Sequence, residues 1–130
     1  MTPPHHSPDR PIAALLAPYV LALLAESPQD VAAETEALHP ADLADVAEAM
    51  PAERIAEFLR ALPAARAAEV LEYLDEELRT QLLERMSTEQ AVRLVSEITP
   101  DDRADVLEEL EEETADEILA DLPEKARHVT

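Results

Sequence analysis

The most regular feature of the sequence is a pattern of apolar residues that repeats every twelve positions. From His39 to Leu122 the chain divides into seven twelve-residue repeats. Apolar residues fall at repeat positions 5, 8, 9 and 12, a spacing that places them on one face of an α-helix. Of the 28 places so defined, only Arg79 and Arg103 are not apolar. The pattern therefore predicts one amphipathic helix in each repeat.

Each repeat must start a new helix. Twelve residues at about 100° each would turn the apolar stripe of a continuous helix by a third of a turn per repeat. The first positions of six repeats supply helix starts: one is a histidine that precedes a proline, two are prolines, and three are Asp, Ser or Thr residues that can cap free N–H groups. Ser87 with Gln90 fits a capping box. The Leu110/Glu111 junction has no such signal, so the sequence allows the last two helices to run on as one.

Helices of nine or ten residues do not persist alone in water, so neighbouring helices must pack together. The sequence predicts an all-α fold, a superhelical solenoid of about nine or ten short helices arranged as armadillo-like αα repeats. Ser27–Asp30 predicts a further helix start, leading from Val31 to Leu38. Residues 1–10 are predicted to be a disordered tail, and residues 11–130 a single helical-repeat domain.

One long apolar stretch precedes the repeats, from Ile12 to Ala25. It has 14 residues, contains Pro18 and is shorter than the ~20 residues that a membrane-spanning helix needs. We predict a buried terminal helix or helix pair here and no insertion into the membrane. The alternative is a signal peptide, with a cleavage site after Leu23-Leu24-Ala25.

Composition excludes several classes of function. The chain has no glycine, which removes phosphate-cradling loops and the EF-hand loop, and no cysteine, which removes thiol nucleophiles and thiolate zinc sites. Its formal net charge of −20 disfavours nucleic acid and anionic lipid as partners. The four histidines lie in the tails or at a helix cap, with no serine at helical spacing. We therefore predict that the protein is not an enzyme.

Acidic residues are concentrated near the C-terminus. Eleven carboxylates and one arginine lie between Asp101 and Asp121. One interpretation is a solvated helix face with diffuse counterions. The other is a face neutralised by a basic partner or by a hard divalent cation, since Mg²⁺ and Ca²⁺ prefer oxygen ligands.

Three segments resemble the cytosolic N-terminal domain of the bacterial MgtE magnesium channel/transporter family. They are HPADLAD at His39–Asp45, the LP-x-x-x-AAEVL segment ending at Leu71, and the DD-x-AD-x-L segment starting at Asp101. The resemblance extends over about Ser27 to Pro123. It implies a superhelical regulatory domain that gates the pore through Mg²⁺ bound between this domain and a pair of CBS domains. It also implies a cytoplasmic location at the inner face of the cell membrane.

The resemblance also implies site residues. Glu69 and Asp101 match positions where family members place interdomain Mg²⁺ ligands, and Asp105 is a weaker candidate. The structural alternatives are an exposed helix residue for Glu69 and a partner of the helix dipole for Asp101. We expect Asp102 to interact with the dipole of its helix. The implied partners are the CBS pair and the transmembrane pore domain, neither of which follows before Thr130, with a homodimer in the full-length transporter.

A second function is compatible with the same pattern. Short-helix repeats are similar to those of FliG-like flagellar motor-switch proteins, which suggests a stand-alone scaffold that binds a basic protein. Such a scaffold would show strong salt dependence without selectivity for divalent cations.

Overall fold

Helices make up the regular structure of the described part of the chain. The computed structural model describes residues 15–122, and within that range there are nine α-helices and no strand. The helices are α1 (Ala17–Glu26), α2 (Val31–Glu34), α3 (Pro40–Glu48), α4 (Ala52–Arg60), α5 (Ala64–Tyr73), α6 (Glu76–Arg85), α7 (Thr88–Val95), α8 (Pro100–Glu109) and α9 (Glu112–Asp121). The all-α prediction is confirmed. The predicted tail at 1–10 lies outside the described residues, and the superhelical path and the single domain at 11–130 stay predictions.

Three helices begin at predicted repeat boundaries with a cap from a local side chain. The Ser87 hydroxyl accepts a hydrogen bond from the Gln90 N–H at 3.1 Å, and Asp75 accepts one from the Glu77 N–H at 3.1 Å. His39 Nδ1 accepts from the Ala41 N–H at 3.0 Å. Each contact satisfies a donor that the first helical turn leaves without an intrahelical partner.

Helices end without glycine. In six repeats the N–H at position 12 donates to the carbonyl at position 9, with N···O distances from 3.0 to 3.3 Å, as in Met50 to Ala47 and Leu62 to Leu59. Such 3₁₀-type bonds tighten the last turn and satisfy terminal carbonyls. Between residues 15 and 122 no residue has a positive φ, so the left-handed cap that favours glycine is not used.

Two arginines occupy the otherwise apolar position 5, and both donate hydrogen bonds to carbonyl groups near helix ends. Arg79 donates to the carbonyls of Glu72 and Leu74 at 3.4 and 3.5 Å. Arg103, buried with 8% of its surface exposed, donates to the carbonyls of Val95 and Ile98 at 3.2 and 2.8 Å. Both guanidinium groups therefore satisfy carbonyls at the end of the preceding repeat, which explains why a charged residue occupies an inward-facing position.

The structure decides one junction that the sequence left open and corrects one predicted helix. The last two helices do not run together, since Leu110 and Glu111 are extended between α8 and α9. Glu84 on α6 makes this break possible by accepting from the Glu111 N–H at 2.7 Å and the Thr114 hydroxyl at 2.5 Å. The helix predicted from Val31 to Leu38 ends at Glu34, because His39 must be extended before Pro40 and the intervening residues form turns.

The chain divides into two compact units, Met1–Pro63 and Ala64–Thr130. In the first, α1 packs against α2 and α4, and α3 packs against α4. Its largest fully buried side chain is Phe58. In the second, α7 packs against α5 and α9, around buried residues that include Leu71, Leu83 and Leu94. No helix from residue 15 to residue 122 has the length and apolarity needed to cross a bilayer.

Candidate functional site

The three predicted ligands lie in the C-terminal unit, on α5 and α8. Glu69 is in the middle of α5, Asp101 is in the first turn of α8, and Asp105 follows one turn later. All three residues are exposed. Asp101 and Asp105 lie on one face of α8 because they are four residues apart.

These carboxylates do not form a complete metal site by themselves. Within residues 15–122, no group of three or more His, Cys, Asp or Glu side chains is arranged to hold a metal ion. Mg²⁺ commonly keeps several waters and takes only one or two protein carboxylates. The exposed oxygen donors therefore fit part of a hydrated Mg²⁺ site whose remaining ligands come from elsewhere, and the assignment of the three residues stays a prediction.

Two further carboxyl groups on α5 and α8 interact with each other. Glu72, half-buried on α5, forms a side-chain hydrogen bond with Asp102 on α8. Burial is the largest cause that raises the pKa of Glu72, followed by the hydrogen bond and the charge of Asp102 and then the charge of Glu69. Arg79 opposes these effects, and the resulting pKa is about 7. Glu72 therefore holds a proton over much of the range below neutral pH.

Sequence reasoning did not identify this pair. Asp102 was expected to interact with the dipole of α8; it also accepts a hydrogen bond from the Thr99 hydroxyl at 3.1 Å and pairs with Glu72. Glu72 follows Glu69 by one helical turn, so helical spacing places both on the same side of α5. That spacing was the available signal, but nothing in the sequence specified that Asp102 lies opposite.

An ion pair lies next to these carboxyl groups. Arg79 Nη2 contacts the two carboxylate oxygens of Glu109 at 3.1 and 2.8 Å, and Arg79 Nε contacts Oε1 at 3.2 Å. The Arg79 and Glu109 side chains are 13% and 18% exposed. Because Arg79 also binds carbonyls at the end of α5, one guanidinium connects α5, α6 and α8.

The Glu72 pair predicts a pH-dependent stability. Since its pKa is about 7 in the folded chain against an ordinary value of 4.5, the folded state binds more protons than the unfolded state between these values. The free energy of unfolding therefore falls as pH rises from about 4.5 to about 7. Glu72→Gln keeps a hydrogen-bond donor for Asp102 without a charge. We expect the free energy of unfolding of this variant, relative to wild type, to be higher at pH 8 than at pH 5 by on the order of 1 kcal/mol, after allowing for solvent screening.

Urea unfolding at pH 5 and pH 8 checks this expectation. Glu97→Gln, which removes one exposed carboxylate from a turn, serves as the control for general charge relief. Equal gains for the two variants at both pH values would contradict the role assigned to Glu72.

The comparisons with known proteins agree with the motifs. A family model described as the MgtE intracellular N domain matches residues 38–130, more than two thirds of the chain. The resemblance inferred from the sequence is confirmed over this range. The match starts at Leu38, next to the first repeat, so residues 27–37, included in the inferred resemblance, lie outside it. No curated protein sequence matches the chain significantly.

Proposed function

Since this chain belongs to the family of the MgtE intracellular N domain, we propose that it is the Mg²⁺-sensing regulatory domain of a magnesium transporter. Family membership identifies a cytosolic transporter domain and not an enzyme family. The match over residues 38–130 is the observation that carries the proposal, because it includes Glu69, Asp101 and Asp105. The domain would lie at the inner face of the cell membrane, beneath the transmembrane pore domain.

In the proposed mechanism, Mg²⁺ acts as a removable counterion. Glu69, Asp101 and Asp105 supply carboxylate oxygens, and a pair of CBS domains of the parent transporter supplies the facing ligands. Bound Mg²⁺ would screen the acidic surface and hold the domains together, which would keep the pore closed. At low Mg²⁺, repulsion between these carboxylates and the facing ligands would separate the domains. The parent transporter would be a homodimer.

The structure supports this proposal through exposure and charge. All three proposed ligands are exposed, so they can reach a hydrated ion without any rearrangement of the helix core. Eleven carboxylates lie between Asp101 and Asp121 and supply a strong negative potential. Because each site would be only half formed in this chain, we expect weak affinity, with a dissociation constant on the order of 1 mM.

Titration of the isolated chain with MgCl₂ tests the proposal. Backbone amide NMR shifts are followed against NaCl at equal ionic strength, and we expect Mg²⁺-specific shifts centred on Glu69, Asp101 and Asp105. The triple variant Glu69→Gln, Asp101→Asn, Asp105→Asn should lose them.

The matched control is Glu112→Gln, Glu113→Gln, Glu117→Gln, which removes the same charge from exposed positions of α9. It should retain the shifts. Identical responses to MgCl₂ and NaCl would overturn direct Mg²⁺ sensing by this chain and favour the scaffold that binds a basic protein.

A further inference from the structure

The proposed ligands lie on two different helices, so their spacing depends on what holds α5 and α8 together. Glu69 is on α5, whereas Asp101 and Asp105 are on α8. The acidic pair Glu72 and Asp102 lies at the same contact. Arg79 on α6 contacts the end of each of these two helices.

We propose that Arg79 is the positioning residue that sets the spacing between Glu69 and the aspartates of α8. The inference rests on the proposed function, because it assigns Arg79 a role in Mg²⁺ binding that is exerted through other residues. Arg79 binds the Glu72 and Leu74 carbonyls at the end of α5 and both carboxylate oxygens of Glu109 at the end of α8.

The geometry of the guanidinium makes Arg79 suited to this role. Its planar donors engage two helices at once, while its low exposure limits competition from water. Because α8 is one continuous helix of ten residues, holding Glu109 at its last turn also fixes the direction of the first turn, which carries Asp101. Lysine in the same place would keep the charge but lose the forked contact with Glu109.

The experiment measures the half-saturating MgCl₂ concentration of the 130-residue chain from backbone amide NMR shifts. All variants are titrated at the same ionic strength and below their unfolding temperatures. We expect Arg79→Met to raise this concentration roughly tenfold, the lower end of the effect of residues that orient metal ligands. Arg79→Lys should raise it less, because the charge remains. Arg79→Met also makes the chain more acidic, and this change in net charge alone would lower the half-saturating MgCl₂ concentration.

Glu84→Gln is the control variant. Glu84 is also on α6 and also contacts a distant segment, but its partners are Glu111 and Thr114 at the start of α9. We expect this variant to lose stability and to keep the wild-type half-saturating concentration. An equal loss of Mg²⁺ affinity in Glu84→Gln would overturn the specific role of Arg79 and assign the effect to general loosening of the fold.

The remaining outcomes separate the two proposals. If wild type binds Mg²⁺ and Arg79→Met binds with an unchanged half-saturating concentration, the positioning role is wrong while the proposed function stands. If wild type gives no Mg²⁺-specific shifts, the proposed function fails, and the role of Arg79 in it fails as well.

Discussion

Replacing Phe58 by alanine is expected to destabilise the N-terminal unit by about 3–5 kcal/mol. Phe58 is the only phenylalanine of the chain and is 0% exposed within α4, which packs against α1 and α3. Alanine would remove most of the apolar side chain and leave a cavity that short helices, held by few contacts each, close only in part. Because small domains are stable by only about 5–15 kcal/mol, this is a large fraction of the total.

The two tyrosines allow the effect to be localised, since the chain has no tryptophan. Tyr19 lies in the N-terminal unit and Tyr73 in the C-terminal unit. Urea unfolding is followed by tyrosine fluorescence in a Tyr73→Phe background, which reports on the first unit, and in a Tyr19→Phe background, which reports on the second. Phe58→Leu is the graded control, with an expected loss below about 1.5 kcal/mol. A Phe58→Ala loss below about 1 kcal/mol in the Tyr19 signal would contradict the packing described for α4.

The second large effect is expected at the ion pair. Glu109→Gln should lower the free energy of unfolding by about 2 kcal/mol, because the mostly buried Arg79 guanidinium would lose the negative charge that pairs with it. Breaking a fully buried ion pair costs about 3–5 kcal/mol of stability, whereas an exposed pair contributes about 0–1 kcal/mol, and the expected value lies between them. This intermediate value follows from side-chain exposures of 13% and 18%.

Glu108→Gln is the matched control, because Glu108 is the exposed neighbour of Glu109 on the same helix and loses the same charge. Relief of general repulsion in a chain with net charge −20 should leave that variant unchanged or slightly more stable. Urea unfolding at pH 7.5 compares the two. Equal stabilities would show that the Arg79–Glu109 contact contributes nothing beyond bulk electrostatics.

The sequence predicted elements whose signals are local. Ser87 and Asp75 cap helices through N–H groups two or three residues away, and His39 is extended because Pro40 follows it. Most apolar positions of the repeats became the core for the same reason, since a helical period fixes which side chains share a face. Leu119 is an exception, with 37% of its surface exposed. The family motifs were also readable, and the match to residues 38–130 confirmed them.

The sequence did not predict contacts between distant residues. Glu84 caps α9 from 27 residues away, and Arg79 pairs with Glu109 across 30 residues. Glu72 and Asp102 are separated by that same interval. Helical periodicity says which face of each helix is apolar, but it does not say which polar residue at the edge of one face lies opposite which residue of another.

The sequence by itself therefore determined most of the helix starts, most of the apolar faces and the family, and it nominated Glu69, Asp101 and Asp105 as ligands, which stay predictions. Only the tertiary structure decided that the chain breaks at Leu110 and Glu111, that Glu72 on α5, whose pKa is raised, lies next to Asp102 on α8, and that Arg79 contacts the ends of both helices. The physical reason is the separation along the chain over which each interaction acts. Capping and amphipathicity act within one or two helical turns, whereas desolvation and charge pairing depend on which helices meet in space.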